Sequence, residues 1–271
     1  MSYLSREAAT IADELWSQID ATVVKTARAV LTARRFLSVF GPLGVGAGYV
    51  PIDDAEALGE TDADGVITTT GRKYVEVPTL YTDFTLLAKD IETAALAGYP
   101  ADLSKAAAAA EQAALKEDKF LYFGSEALGY EGILTAKGAN KVAMKDWSKG
   151  ENAFTDVAAA ISLLAEQGIY GPYTLVVSPD VAMKMQRLQP NTGLLEIDRV
   201  AKLVDGRMIK APALGKGKAL LVCPDKRNMD LVIGQDMAAA YLEQKELNHS
   251  FRLLETVLLR VKRKKAIVVF E

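Results

Sequence analysis

The hydrophobic pattern changes period several times along the chain, and each change marks an element. Over residues 6–36 Ile11, Leu15, Ile19, Val23, Ala27, Val30 and Leu31 recur at helical spacing. Asp20 and Thr22 interrupt the run and predict a break into two helices. "VFGPLGVGAGYVP" (39–51) is dense in Gly and Pro and predicts irregular chain. From Val66 to Leu87 Thr, Val, Tyr and Phe dominate, which predicts strands. Helical spacing returns over 90–123, split at "GYPADLS", where Tyr99-Pro100 closes one helix and Ser104 opens an Ala-rich second one. The Ala run reads as close helix packing.

"GSEALGYEGILTAKG" (124–138) is a Gly-punctuated connection, and a helix over 153–167 ends at Gly168. "GPYTLVVSP" (171–179) predicts a short buried strand. Helical stretches over 180–187 and 195–204 flank a "QPNTG" loop. "KALLVCP" and "MDLVIGQD" predict a strand pair joined by "DKRN", and "HSFRLLETVLLRVKRKKAIVVFE" predicts two long strands. No repeat of 20–50 residues is visible. The fold class is α+β.

Length and charge narrow the picture. A chain of 271 residues fits one large domain or two lobes. A net charge of −3 gives no general attraction to nucleic acid or anionic membrane. The single Cys223 allows no internal disulfide and suits a reducing cytosol. The amphipathic start lacks the layout of a signal peptide, and no apolar run approaches the roughly 18 residues of a membrane span, so a soluble cytoplasmic protein is expected.

Candidate chemistry is sparse. "ETDADGVITTTG" (60–71) mimics a calcium loop, with Glu60, Asp62, Asp64 and Gly65 at positions one, three, five and six. The twelfth residue is Gly71 where such a loop needs a bidentate Glu, so no metal site is expected. One His (His249) and one Cys cannot build a common zinc site, and their strand contexts do not make a nucleophile and base. "GPLGVGAG" (41–48) lacks a βαβ frame, and "GKGK" (215–218) is too short for a phosphate loop. "RVKRKK" (260–265) reads as a solvated strand face rather than a nucleic-acid patch, and for a glycosidase-like use of the acidic pair Asp53-Asp54 no partner or pocket can be argued from the sequence. No catalytic residue is expected.

Five passages, in order along nearly the whole chain, carry a resemblance: "ARRFLSVFGPLGVG" (33–46), "GSEALGYEGILTA" (124–136), "QGIYGPYTLVVSPDV" (167–181), "NMDLVIGQDMAAAYL" (228–242) and "NHSFRLLETVLLRVKRKKAIV" (248–268). Together they resemble the encapsulin shell proteins, the linocin-like family of bacteria and archaea. The resemblance implies the tailed-phage capsid fold. It implies N-terminal helices over 1–47 and an extended β-hairpin arm over 48–82. A peripheral domain with a spine helix is implied over 83–132, an axial domain over 133–225, and peripheral C-terminal strands over 226–271.

By resemblance, the chain is a self-assembling shell protein forming icosahedra of roughly sixty or more copies. The shell encloses cargo enzymes docked through a C-terminal targeting peptide, with iron storage by ferritin-like cargo, or oxidative-stress defence, as its use. Positions matching the peptide site are Arg34, Ser38, Ala239 and Tyr241; Ser38 departs from the acidic residue some relatives carry. Arg187, Gln189, Asn191 and Thr192 match the loop that rings the five-fold pore. Asp62, Asp64, Gly65 and Tyr74 fall on the inter-subunit arm, where "DADG" makes the turn. Around Leu87 to Lys89 no aromatic stands where flavin-binding relatives carry Trp, so no cofactor is expected. A DNA-packaging phage capsid protein and a soluble protease-like enzyme are the alternatives.

Overall fold

Helix α1 (Asp13–Val30) buries Leu15, Trp16, Ile19, Val23 and Ala27 along one stripe in the computed structural model, which describes residues 3–190 and 192–271. The break expected at Asp20 is absent. The Asp20 carboxylate is taken up by Arg6 at 2.7 Å and so does not compete for the helix backbone, while Ile19 and Val23 keep the apolar stripe continuous.

After a turn at Ala33–Arg35 and the short β1 (Val39–Phe40), the chain runs out along β2 (Tyr49–Asp53) and β3 (Gly59–Ala63). It returns along β4 (Val66–Thr70) and β5 (Arg72–Glu76). Then come β6 (Thr79–Leu86), α2 (Ala88–Ala97), α3 (Ser104–Phe123) and the minimal pair β7 (Gly124–Ser125) and β8 (Tyr130–Glu131). The next stretch holds β9 (Asn140–Val142), α4 (Asn152–Glu166), β10 (Thr174–Val177), α5 (Pro179–Lys184), α6 (Glu196–Leu203), β11 (Met208–Lys210) and β12 (Ala219–Val222). The remainder is β13 (Met229–Ile233), β14 (Ala238–Lys245), β15 (Asn248–Val261) and β16 (Ile267–Phe270).

Two five-stranded sheets organise the described residues. The first has the order β1-β13-β15-β14, with β6 also on β15. β15 carries this sheet: its first part pairs with β14 and β6, its last five residues with β13. α1 and α3 pack on it. The small residues Ala106, Ala109, Ala110, Ala113 and Ala114 are all buried, which lets α3 lie close to α1 and the sheet, as the Ala run implies. Trp16, Phe84 and Phe251 fill the contact, with ring centroids 5.0–5.5 Å apart.

The second sheet runs β11-β10-β12-β16-β9. Every residue of β10, β12 and β16 is buried, so these strands read as unbroken apolar runs without alternation. Trp147 packs edge-on to Phe270 at 5.3 Å, and Asp156 on α4 accepts hydrogen bonds from Trp147 Nε1 (2.9 Å) and the Lys145 amide (3.0 Å).

Three expectations for the last third are corrected. β12 and β13 do not pair; they stand in different sheets. The "DKRN" turn redirects the chain, with Asn228 Nδ2 donating to the Cys223 carbonyl at 3.1 Å. The expected second long strand is short: β16 leaves the β15 sheet and inserts between β12 and β9, so residues 267–270 belong with the second sheet. The basic run is no solvated strand face. β15 ends at Val261, and Arg260 is buried against Asp230 at 2.7 Å, where Lys262 also reaches Asp230 at 2.7 Å. An apolar environment tolerates those charges because they are paired with good geometry.

Candidate functional site

Three surfaces carry the candidate residues. The first is a groove of about 370 Å³ beside α1. Val23, Val24, Ala27, Leu31 and Met237 form its apolar wall, and Arg28, Arg34, Arg35 and Asp236 its charged edge. Arg34 sits in the turn after α1. Its Nε and Nη2 fork onto Glu117 of α3 at 2.7 and 2.9 Å, Nη2 also reaches Glu255 of β15 at 2.9 Å, and Nη1 reaches Asp236 at 2.7 Å. Burial works against the cation, but these carboxylates outweigh it and raise the guanidinium pKa. Burial, and then the charge of Glu117, push the Glu255 carboxyl well above its ordinary range.

The other residues expected at a peptide site are placed differently. Ser38 is exposed and uses its carbonyl to accept from the Leu231 amide at 2.9 Å. Ala239 is fully buried and Tyr241 nearly so, in the aromatic core under α1. The outer edge of β14 is covered by residues 4–6: the Tyr241 amide donates to the Leu4 carbonyl, and Arg6 Nε donates to the Ala239 carbonyl, both at 2.9 Å. Of the four residues, Arg34 alone lines the groove. Sequence reading took Val23 and Leu31 only as part of the helix stripe and passed over Val24 and Met237. Val24 carried a signal, being an apolar residue on α1 that lies off the buried Ile19–Val23–Ala27 stripe.

The loop over 187–195 is the second surface. It is closed by a bridge between Leu188 and Leu195. Gln189 faces inward, contrary to a pore-lining role for its side chain. Its Nε2 donates to the Gly150 carbonyl (2.6 Å) and to the fully buried Glu196 carboxylate (2.5 Å). A buried amide needs such partners, and Glu196 supplies one while also meeting Arg199 at 3.4 Å. Arg187 Nη2 donates to the same Gly150 carbonyl. Thr192 is exposed, with Oγ1 donating to the Gln189 carbonyl at 3.1 Å. Asn191 lies outside the described residues.

The third surface is the ribbon β2–β5. Its tip turns on Asp64 (φ 53°) and Gly65 (φ 79°), the paired positive φ that an Asp-Gly hairpin turn requires. Asp62, Asp64, Gly65 and Tyr74 are all exposed, as is every residue of β3 and β4, including the apolar Val66 and Ile67. The ribbon is jointed near residue 54. The Asp54 amide donates to the Gly71 carbonyl at 2.8 Å, and the Ala55 amide donates to the Lys262 carbonyl at 3.1 Å. Arg72 binds Asp53 at 2.6 Å and holds that carboxyl below its ordinary pKa. Val50 and Val77 anchor the base on Val232 and Leu258.

Cys223 follows β12 of the second sheet and His249 begins β15 of the first, so they do not meet as nucleophile and base. Burial pushes the thiol pKa up and the imidazole pKa down, the opposite of an activated pair. Among the described residues no cluster of three or more His, Cys, Asp or Glu side chains could hold a metal ion, and no helix is long and apolar enough to cross a membrane.

Known proteins give these surfaces a context. The family described as encapsulating protein for peroxidase (Linocin_M18) matches residues 1–258. The type 1 encapsulin shell protein EncA of Myxococcus xanthus is 36% identical over 99% of this chain and 96% of its own. A diheme-cytochrome-encapsulin shell fusion protein of Kuenenia stuttgartiensis is 35% identical over 95% of this chain and 73% of its own. Among solved structures, a virus-like particle from Pyrococcus furiosus superposes with a TM-score of 0.78 at 20% identity, covering 95% of this chain and all of that one. The capsid of Myoviridae phage XM1 follows at 0.63 and 17%, covering 89% and 91%. Sequence agreement over nearly the whole chain, on a capsid-type α+β fold with a ribbon whose outer strands are wholly exposed, leads to one conclusion: the chain belongs to the encapsulin shell-protein family.

Proposed function

We propose that this shell protein assembles into a closed icosahedral compartment that houses cargo enzymes docked from inside by a short C-terminal targeting peptide. One observation carries the assembly reading. The outer half of the ribbon, β3 and β4, leaves every residue in solvent. An isolated hairpin is marginal in water, and the exposed Val66 and Ile67 need a covering surface, which another copy of the chain supplies. On this reading the first sheet with α1 and α3 is the peripheral domain, the second sheet with α4 to α6 is the axial domain, and the loop over 187–195 borders the five-fold pore. Six acids between Asp53 and Asp64, with no Lys or Arg, suit a basic patch on the neighbour. The role is structural, and chemistry belongs to the cargo.

The groove beside α1 fits the docking part: an apolar wall takes anchor side chains, and Arg34, Arg28 and Asp236 fix polar groups of an extended peptide. Ferritin-like cargo and iron storage are the use we favour, because one relative is a ferritin-like-encapsulin shell fusion protein of Pyrococcus furiosus. Electron microscopy of the purified protein, with the 260/280 nm absorbance ratio of the same sample, tests the reading. Hollow uniform icosahedra without nucleic acid support it. Particles filled with nucleic acid favour a DNA-packaging capsid, and a persistent monomer refutes assembly.

A further inference from the structure

Charges do not balance where the turn after α1 crosses α3 and β15. Arg34 is the cation there. It faces Glu117 from α3, Glu255 from β15 and Asp236 from the β13–β14 connection, at 2.7–2.9 Å. Asp236 is largely in solvent, where water screens it, whereas the Glu117 and Glu255 side chains are 0% and 2% exposed. Glu117 receives both prongs of the Arg34 fork. Glu255 keeps a single contact through Oε2, and its buried Oε1 has no hydrogen-bond partner.

Among the described residues Arg34 is the one cation that reaches Glu117 and Glu255; Arg28, on the same groove edge, forms no ion pair with either. Asp118, beside Glu117 on α3, is turned towards the Thr32 hydroxyl and the Thr32 and Ala33 amides. Arg35 donates to the carbonyls of Leu31 and Ala29. β6 sets Leu80 opposite Glu255, and β14 sets Ala238 opposite Leu254. Two carboxylates and one guanidinium out of water would leave a buried negative charge, which proteins neutralise by binding a proton. A proton on Glu255 removes the surplus charge and also turns a carboxyl oxygen into a donor towards Glu117.

We propose that Glu255 is a carboxylic acid in the folded subunit, sharing its proton with Glu117, and that this junction is a clasp that holds in acid and loosens as pH rises. The ordinary Glu value is 4.5, and burial followed by the Glu117 charge raises the folded one well above it. Between the two values the folded chain holds more protons than the unfolded one. The contribution is therefore complete below the ordinary value and is lost as pH climbs through the folded one. The clasp joins the exit of α1, α3 and the central strand β15, so its loosening reaches the groove that Arg34 and Asp236 edge.

The test compares thermal unfolding of the purified full-length protein with that of Glu255→Gln, from about pH 5 to about pH 10. Gln is the neutral near-isostere of the protonated acid. The two midpoints should lie close in acid and separate as pH rises, with Glu255→Gln unfolding several degrees higher in alkali. Parallel curves, or a variant weaker by the same amount throughout, overturn the proposal. Infrared spectra of the unmodified protein keep the test open should that variant fail to fold. A protonated-carboxyl stretch should persist at neutral pH, and Glu117→Gln should lower the pH at which it disappears. Absence of the band, or a band unmoved by Glu117→Gln, refutes the shared proton.

Discussion

The pairs β3–β4 and β10–β12 are both short antiparallel ladders, and they are opposites in everything except their backbone bonds. Each residue of β10 and β12 is buried, and each residue of β3 and β4 is exposed. The inner pair is held by its two faces, the outer one by a two-residue turn and, in the assembly proposed above, by a neighbouring subunit. Backbone pairing alone contributes little, so what differs is where the missing stabilisation comes from. For β10–β12 it comes from the same chain. For β3–β4, in the proposed assembly, it waits for another.

Breaking the inner side should have the largest effect. Phe270→Ala empties the space against Trp147 and should cost about 3–5 kcal/mol, read as a lower denaturation midpoint. A loss below about 1 kcal/mol would mean that the second sheet repacks freely. On the outer side, Ile67→Asp should leave subunit unfolding within about 0.5 kcal/mol and yet abolish particles in electron microscopy. Normal particles from that variant would remove the ribbon from the interface. The smallest effect sits at the joint. The Asp53 carboxyl is held below its ordinary pKa of 3.8 by the hydrogen bond from Arg72. The support it gives is therefore present above that value and fades as pH falls through the lowered one. Amide-exchange protection of Asp54, corrected for intrinsic rate, should drop on acidification, and Asp53→Asn should remove that dependence. Identical profiles for both proteins would show that the pair does not hold the joint.

The same contrast explains how much could be read from the sequence. Local signals held where the cause is local: Asp64-Gly65 made the tip turn, Pro100 and Ser104 separated α2 from α3, and Gly168, at φ 74°, follows α4. Pairing was illegible where strands are apolar on both faces. "ALLV" and "IVVF" contain no alternation that assigns them to a sheet, so neither the separation of β12 from β13 nor the transfer of β16 could be inferred. Polar residues misled when their partners were remote. Asp20 suggested a helix break because Arg6, fourteen residues away, was not foreseen as its partner. Arg34 was legible as a candidate, whereas the apolar wall beside it follows from how α1 rotates against the sheet.

The position of β16 sets an order of events during synthesis. β9 emerges from the ribosome long before β16, and in the finished sheet its ladder partner is β16 alone. Until Ile267–Phe270 arrive, β12 has an open edge and β9 has nothing to join, so the second sheet cannot close while the strand between them is missing. Long-range pairings of this kind form slowly. The ribbon at residues 59–70, by contrast, can fold as soon as its turn is made. The ribbon, proposed above as the contact with a neighbour, can therefore form early, while the second sheet matures late.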